Sequence, residues 1–319
     1  WSNSGQHLMV LKNQNRYIGA TNVLLLRGSK LLSWNSAVFA RNTNLYLWSD
    51  NGDLLQVFWD QEQRLNGVIE LLDGNLLTWG DDTTLKIWAL DGTLVCVLEG
   101  HTDSIKGAVE LSTGKLLSWG ADTTLRMWTS DGTLVCVLEG HTTSIRGSLE
   151  LSTGRLLSWS YDNNLCLWSS YGQLIATMES QTHKTSKHRF PINVVLELND
   201  SRILSWGDGV TLNLWSPNGE LLQVLQGHSR EVNGALELTD GRLLTWGDDA
   251  TLCLWSSDGK LSHVLQGHSR EVKGAMELAD GKLLSWSIDG SARLWEIDQI
   301  TSVSKSSKAH TGAIVGTLA

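Results

Sequence analysis

Tryptophan recurs through this chain as a ladder with a rung every forty residues, so the sequence is one small unit written many times. Trp79, Trp119 and Trp159 stand forty apart, as do Trp206, Trp246 and Trp286. A second series runs Trp48, Trp88, Trp128, Trp168 and resumes at Trp215, Trp255, Trp295. Trp34 and Trp1 continue the two series towards the N-terminus at looser spacing, and Trp59 alone stands outside them. A period of about 20–50 residues means an array, a solenoid or a propeller, and it governs every local reading.

One copy, Gly107 to Gly140, shows what the unit is: GAVELSTGKLLSWGADTTLRMWTSDGTLVCVLEG. Four strand-length runs, GAVEL, KLLSW, TLRMW and TLVCVLE, are separated by STG, GAD and TSDG, whose Gly and Asp residues suit tight turns. The unit is predicted to be a four-stranded antiparallel meander. Its runs are almost continuously apolar instead of alternating, which implies strands covered on both faces. Such sheets are satisfied by standing side by side around an axis with only short edges left over, so the expected fold class is all-β, a β-propeller of four-stranded antiparallel blades. The tryptophans then have a structural task between blades, each burying about 150–250 Å², worth roughly 4–6 kcal/mol as an upper bound.

The composition agrees with one folded domain. Of 319 residues, 41% are hydrophobic and 18% charged, with two prolines and no low-complexity tract. A formal net charge of −9 without a basic stripe argues against nucleic acid as a partner. Apolar runs such as Leu94 to Leu98 fall far short of the roughly 20 residues of a membrane helix, so no membrane partner is expected. No secretory signal is visible from Trp1 onward. Cys96 and Cys136 hold one position in adjacent copies, and Cys166 and Cys253 share another. Equivalent positions on neighbouring blades are expected to lie too far apart for a disulfide, which favours free thiols, a reducing compartment and a cytoplasmic location.

The copies also carry Gly100-His101, Gly140-His141, Gly227-His228 and Gly267-His268 between the last strand of one unit and the first of the next. With these pairs the chain resembles the WD-repeat β-propeller family. The resemblance implies a buried tetrad of that His, a Ser or Thr in the second strand, an Asp in the following turn and the Trp that ends the third strand. Four copies hold all four: His101, Ser118, Asp122, Trp128; His141, Ser158, Asp162, Trp168; His228, Thr245, Asp249, Trp255; and His268, Ser285, Asp289, Trp295. The sequence departs from the family twice. Ser49, Ala89, Thr129, Ser169, Ser216, Ser256 and Glu296 replace the Asp that usually follows the closing Trp, and a second Trp stands after the tetrad Ser or Thr where the family is commonly small.

His, Asp and Ser together raise the question of a hydrolase triad. A catalytic set is needed once per site, whereas this one recurs four times inside blades, where a satisfied hydrogen-bond network is a sufficient cause. No HExxH, paired CxxC, GxSxG or Walker loop is present, so neither enzymatic activity, a metal nor a cofactor is expected.

A partner-specific surface must lie where the copies differ. Trp34 to Trp79 spans 45 residues, the excess falling in Asn35 to Arg41; Trp159 to Trp206 spans 47, the excess falling in Gln181 to Lys187. By the family topology both insertions open on the rim formed by the inter-blade loops, where function usually resides. The same rim varies in chemistry. After the His come Asp103 and Lys106; Thr143 and Arg146; Arg230 and Glu231; Arg270, Glu271 and Lys273. Beside the tetrad Asp stand Asp81, Ala121, Tyr161, Asp248 and Ile288. The partner-binding candidates are therefore Lys106, Arg146, Tyr161, Arg230, Glu231, Arg270, Lys273 and Ile288, with Tyr161 and Ile288 as contact hot spots. Lys184 and Lys187 of the basic loop His183 to Arg189 are added for an acidic partner, and His188 lies in register with the tetrad His.

Seven copies hold the first three strands in full, so seven blades are expected, with eight the alternative. The repeats run approximately 19–66, 67–106, 107–146, 147–193, 194–233, 234–273 and 274–315. Residues 1–18 are expected to supply a closing strand, His7 to Leu11, that pairs with the strand ending at Trp295 in preference to the more polar Ser302 to Ser307. Ala309-His310 and Gly316 match the start of a further unit, so a longer array is expected, with other domains of the same polypeptide as possible partners. The resulting expectation is a noncatalytic protein-interaction scaffold or sensor module. The alternatives are a carbohydrate-binding propeller, which would need exposed rim tryptophans, and after it an enzymatic one.

Overall fold

The computed structural model describes residues 22–34, 43–60, 64–179, 191–296 and 317–318. These form seven antiparallel sheets of four sequential strands, with no helix among the described residues. The sheets, or blades 1 to 7, span residues 22–60, 65–99, 105–139, 145–179, 192–226, 232–266 and 272–318. Blade 3 is typical, with strands Ile105–Glu110, Leu116–Gly120, Thr124–Trp128 and Leu134–Glu139. Local chemistry sets the turns. Leu111 N–H and Lys115 C=O close the first hairpin at 2.7 Å, and Gly132 takes φ +90° in the last one, a conformation only glycine adopts without strain.

The chain divides into two compact units, Trp1–Glu150 with Gly154–Asp162 and Trp168–Leu174, and Leu151–Thr153 with Asn163–Leu167 and Ile175–Ala319. The division runs through blade 4. In the first unit, Leu32, Leu45, Leu47 and Phe58 of blade 1 pack with Leu65, Leu76 and Trp88 of blade 2. Leu77, Leu85 and Leu98 of blade 2 then pack with Ile105, Leu116 and Trp128 of blade 3. In the second unit, Leu204, Leu212 and Leu225 of blade 5 meet Val232, Leu243 and Trp255 of blade 6. Leu244, Leu252 and Leu265 of blade 6 meet Val272, Leu283 and Trp295 of blade 7. Each of these cores is a junction that receives the closing Trp of the following blade, and none of the seven closing tryptophans is more than 8% exposed.

The other tryptophan series shares these junctions, with Trp34, Trp79 and Trp206 in the cores and Trp246 packed against one. Gly67, Gly107, Gly147, Gly234 and Gly274 of the first strands stand opposite Trp79, Trp119, Trp159, Trp246 and Trp286 of the second strands. A methyl group at any of these glycines would overlap the facing indole ring, so the Gly makes room for the second Trp within its own blade. Burial in this series is uneven. Trp34, Trp79, Trp119 and Trp206 are buried, Trp159 and Trp246 half-buried, and Trp286 is 42% exposed.

A polar link that the sequence reading did not single out joins successive blades. Glu70, Glu110, Glu150, Glu197, Glu237 and Glu277 end the first strands of blades 2 to 7. Their carboxylates accept the backbone N–H of Arg27, Leu72, Ser112, Ser152, Asn199 and Thr239 in the first turn of the preceding blade, at 2.6–2.8 Å. The hydroxyls that replace the family Asp also have a task. The side chains of Ser49, Thr129, Ser169, Ser216 and Ser256 accept the N–H four residues on and hold the last hairpin.

One strand pairing differs from expectation. The third strand of blade 7, Ala292–Trp295, pairs with Thr317–Leu318, through Ala292 with Leu318 and Arg293 with Thr317. The edge assigned above to His7 to Leu11 is thus held at these two positions by C-terminal residues. Leu318 takes the register that Leu265 takes opposite Leu252 in blade 6, the place that local meander order assigns. Residues 1–18, 302–307, 309–310, Gly316 and both insertions lie outside the described residues. Replacing Gly107 with Ala is expected to destabilise the protein by about 1–3 kcal/mol, because the ring of Trp119 must shift. Urea denaturation measures this, and Gly114→Ala, where nothing stands within 4 Å of the added methyl but φ is +77°, separates ring overlap from backbone strain.

Candidate functional site

The antiparallel meander puts the turn after the second strand at the same end of each blade as the connection leading into the first. Hydrogen bonds join them directly: Asp81 N–H to Arg64 C=O, Ala121 to Ser104, Tyr161 to Ser144, Asp248 to Glu231 and Ile288 to Glu271. Beneath this end lie the four tetrads. His101 Nδ1 is 2.7 Å from Asp122 Oδ2 and its Nε2 is 2.8 Å from Ser118 Oγ, which also accepts from Trp128 Nε1 at 2.9 Å. The sets at His141, His228 and His268 repeat this, with His to Asp at 3.0, 3.0 and 3.1 Å and His to hydroxyl at 2.9, 2.8 and 2.8 Å. All four imidazoles are fully enclosed, and Ser118, Ser158, Thr245 and Ser285 have no exposure.

The ends of the chain of hydrogen bonds fix its polarity. The indole N–H can only donate and an ionised carboxylate can only accept. The hydroxyl therefore accepts from Trp, Nδ1–H donates to Asp, and the imidazole bridges the two through Nε2. Burial acts against the charged forms of Asp122 and Asp249. Hydrogen bonds from His101 and the Thr102 N–H, and from His228 and the Ser229 N–H, outweigh it and hold both carboxyls well below the ordinary range. At Asp289 the Ser291 hydroxyl leads, with the Ser269 N–H and His268 adding to it, and the result is the same.

Three blades lack a described His partner, yet keep the indole bond. Trp48, Trp88 and Trp215 donate at 2.9 Å to Ser33, Thr78 and Ser205. In blade 2 the Lys86 ammonium reaches Asp82 at 2.6 Å, so a cation from the third strand serves the carboxylate that His serves elsewhere. His188 lies outside the described residues.

Above the tetrads, the variable rim residues are positioned by β-bulges. Leu65 pairs with Gly80 and Gly67 with Trp79, leaving Asn66 as the extra residue on its strand. Lys106, Arg146, Asn193, Asn233 and Lys273 are the extra residues of blades 3 to 7. A bulge re-aims one side chain while the flanking strand keeps its register, so this position can vary without touching the core. The bulge residue then meets the residue beside the tetrad Asp. Asn66 donates to Asp81 and also to Ile105 C=O of the next blade, both at 2.9 Å. Asn233 donates to Asp248 at 2.6 Å and to Val272 C=O at 2.9 Å, and Asn193 bonds Asp208. Arg146 lies 4.6 Å from the Tyr161 ring centroid, and Lys273 pairs with Glu271 at 2.5 Å and Asp248 at 3.3 Å.

The first unit thus gathers Lys106, Arg146 and the 54% exposed Tyr161 at one end of blades 3 and 4. The second unit gathers Glu231, Lys273, Glu271 and Asp248; Arg230, Arg270 and the 40% exposed Ile288 lie on the same end of their blades. Burial, with the neighbouring carboxylates Asp208 and Asp248, holds the Glu231 carboxyl above its ordinary value. Lys184 and Lys187 lie outside the described residues. The bulge and the inter-blade reach of Asn66 and Asn233 were missed in the sequence. The signal was the paired change at positions fifteen apart: Asn with Asp in blades 2, 5 and 6, a cation with Ala, Tyr or Ile in blades 3, 4 and 7.

Solved structures place this geometry in a known class: the chain has the fold of the WD40 β-propellers. It is similar to the WD40 β-propeller domain of Doa1, at 23% identity and TM-score 0.50 over 84% of this chain and 88% of that one. It is also similar to the computationally designed Ika8 protein, at 20% identity and TM-score 0.63 over 88% and 85%. The C-terminal WD40 domain of Sif2 matches at 16% identity and TM-score 0.60 over 89% and 84%. No family model and no curated protein matches the sequence.

Two outcomes follow from the tetrads. His228→Ala should lower stability by about 1–3 kcal/mol, read as a fall in melting temperature by circular dichroism, since it strands Thr245 and Asp249. The depressed carboxyls contribute stability that is fully present above the ordinary Asp value of about 3.9 and is lost as pH falls through their lower folded values. Denaturation at stepped pH should therefore show stability declining below about pH 5, with Asp122→Asn weaker at neutral pH and shallower in its acid decline.

Proposed function

We propose that this chain is a noncatalytic protein-interaction scaffold or sensor module that binds partners on the rim formed by its inter-blade connections and second turns. The observation that carries the reading is the bulge position, where a constant framework presents Asn, Lys or Arg beside Asp, Ala, Tyr or Ile, with Tyr161 and Ile288 exposed. Rigid elements that differ only in what they aim outward suit recognition of a specific surface. A noncatalytic role is supported by the tetrads, whose hydroxyls are enclosed and already accept an indole N–H, so no substrate reaches them. The partner is a protein, and further domains of the same polypeptide fit the reading as well. The acidic balance speaks against nucleic acid, and no helix among the described residues is long and apolar enough to cross a membrane. Four free cysteines support a reducing, cytoplasmic setting. A carbohydrate-binding surface would need exposed tryptophans, and of the described side chains only Trp286 is exposed, at 42%.

Affinity capture tests the rim. Tyr161→Ala and Ile288→Asp, examined separately, are expected to lose partners that Thr93→Ala and Lys260→Ala on the opposite turns retain. The reverse pattern would put binding at the other end of the blades.

A further inference from the structure

Resting on the rim reading, we propose that the edge of blades 3 and 4 around Ala121, Ser144 and Arg146 binds an acidic side chain, a carboxylate presented by a partner polypeptide. The inference comes from comparing equivalent places within one chain. Asp81 of blade 2 is held by Asn66 of its own blade at 2.9 Å and by the Ser104 hydroxyl of blade 3 at 2.6 Å. Lys106 of blade 3 donates to that same Ser104 at 2.8 Å and lends its charge to Asp81. Asp248 of blade 6 is likewise held by Asn233 of its own blade at 2.6 Å and by Lys273 of blade 7 at 3.3 Å. At both places a carboxylate of one blade meets a cation or hydroxyl donor reaching from the next.

Between blades 3 and 4 the donors recur and the acid does not. Ser144 and Arg146 stand where Ser104 and Lys106 stand, forty residues on, but the place of Asp81 is taken by the methyl group of Ala121. Among the described residues no carboxylate pairs with Arg146. Its guanidinium carbon lies instead 4.6 Å from the centroid of the exposed Tyr161 ring. A planar, always charged group held on an aromatic face suits a two-oxygen acceptor. A partner Glu or Asp at this edge would complete the arrangement that Asp81 and Asp248 complete from within the chain.

The chain supplies its own competitor for the test. Ala121→Asp installs the carboxylate found in blades 2 and 6 and should satisfy Arg146 internally. A fluorescein-labelled peptide of alternating serine and glutamate is titrated by anisotropy, beside its glutamine counterpart and a phosphoserine version that carries glutamine for glutamate. The glutamate peptide should bind saturably and the glutamine peptide should not. Ala121→Asp and Arg146→Gln should each weaken binding roughly tenfold or more, the change expected for losing a charge-assisted hydrogen bond. Ala121→Asn, with the same shape and no charge, should leave it intact, and melting temperatures identify any variant that fails to fold. Equal binding by wild type and a folded Ala121→Asp overturns the proposal, as does failure of the glutamate peptide to bind. Tighter binding of the phosphoserine peptide overturns the carboxylate assignment. If capture remains sensitive to Tyr161→Ala while Ala121→Asp changes nothing, the acid site falls and the rim reading stands.

Discussion

The bond from the closing indole to the second-strand hydroxyl is the interaction on which each blade depends. It has the same length, 2.9 Å, in all seven sheets, including the three without a described His. A tryptophan buries more apolar surface than any other side chain but brings one donor that costs free energy if left unpaired once water is gone. Placing Ser or Thr opposite it lets the ring enter the junction with the preceding blade at no polar cost. The His and Asp then extend the same bond outward and tie the second turn to the strand beneath. The rim can vary because this network already fixes the backbone below it.

Much of the fold was legible because the interactions that make it are short-range and repeated. The forty-residue period, the turn residues and the tetrad spacing each report a contact inside one blade, and one blade read correctly serves for the rest. Contacts between blades were harder to read. The glutamates ending the first strands recur as visibly as the tryptophans, but their partners are backbone N–H groups of the preceding blade, which carry no side-chain signature. Asn66 escaped notice for the same reason, since two of its acceptors belong to the next blade. A glycine faces the second Trp in five of the seven blades, and its meaning needed the register that sets Gly107 against Trp119.

At the candidate site, the chemistry was legible and the geometry was not. Lys106, Arg146 and Lys273 stood out by their variation, yet only the bulge shows that they occupy one place, and only the neighbouring blade shows that they differ in state. Lys273 is committed to Glu271 and Asp248, Lys106 leans on Ser104 near Asp81, and Arg146 rests on an aromatic ring with no carboxylate paired to it among the described residues. At strand Ala292–Trp295, apolar content pointed to His7 to Leu11, whereas at the two described positions the partners Thr317–Leu318 follow local order along the chain.

Hydrogen exchange at the indole N–H of ¹⁵N-labelled tryptophan tests the central claim most directly. The account predicts slow exchange for Trp128 in the native protein, and in Ser118→Ala a shifted Trp128 resonance that exchanges faster while Trp88 and Trp255 keep their protection. An indole N–H of Trp128 that exchanges as freely as that of the exposed Trp286, or one unaffected by loss of the Ser118 hydroxyl, would contradict it.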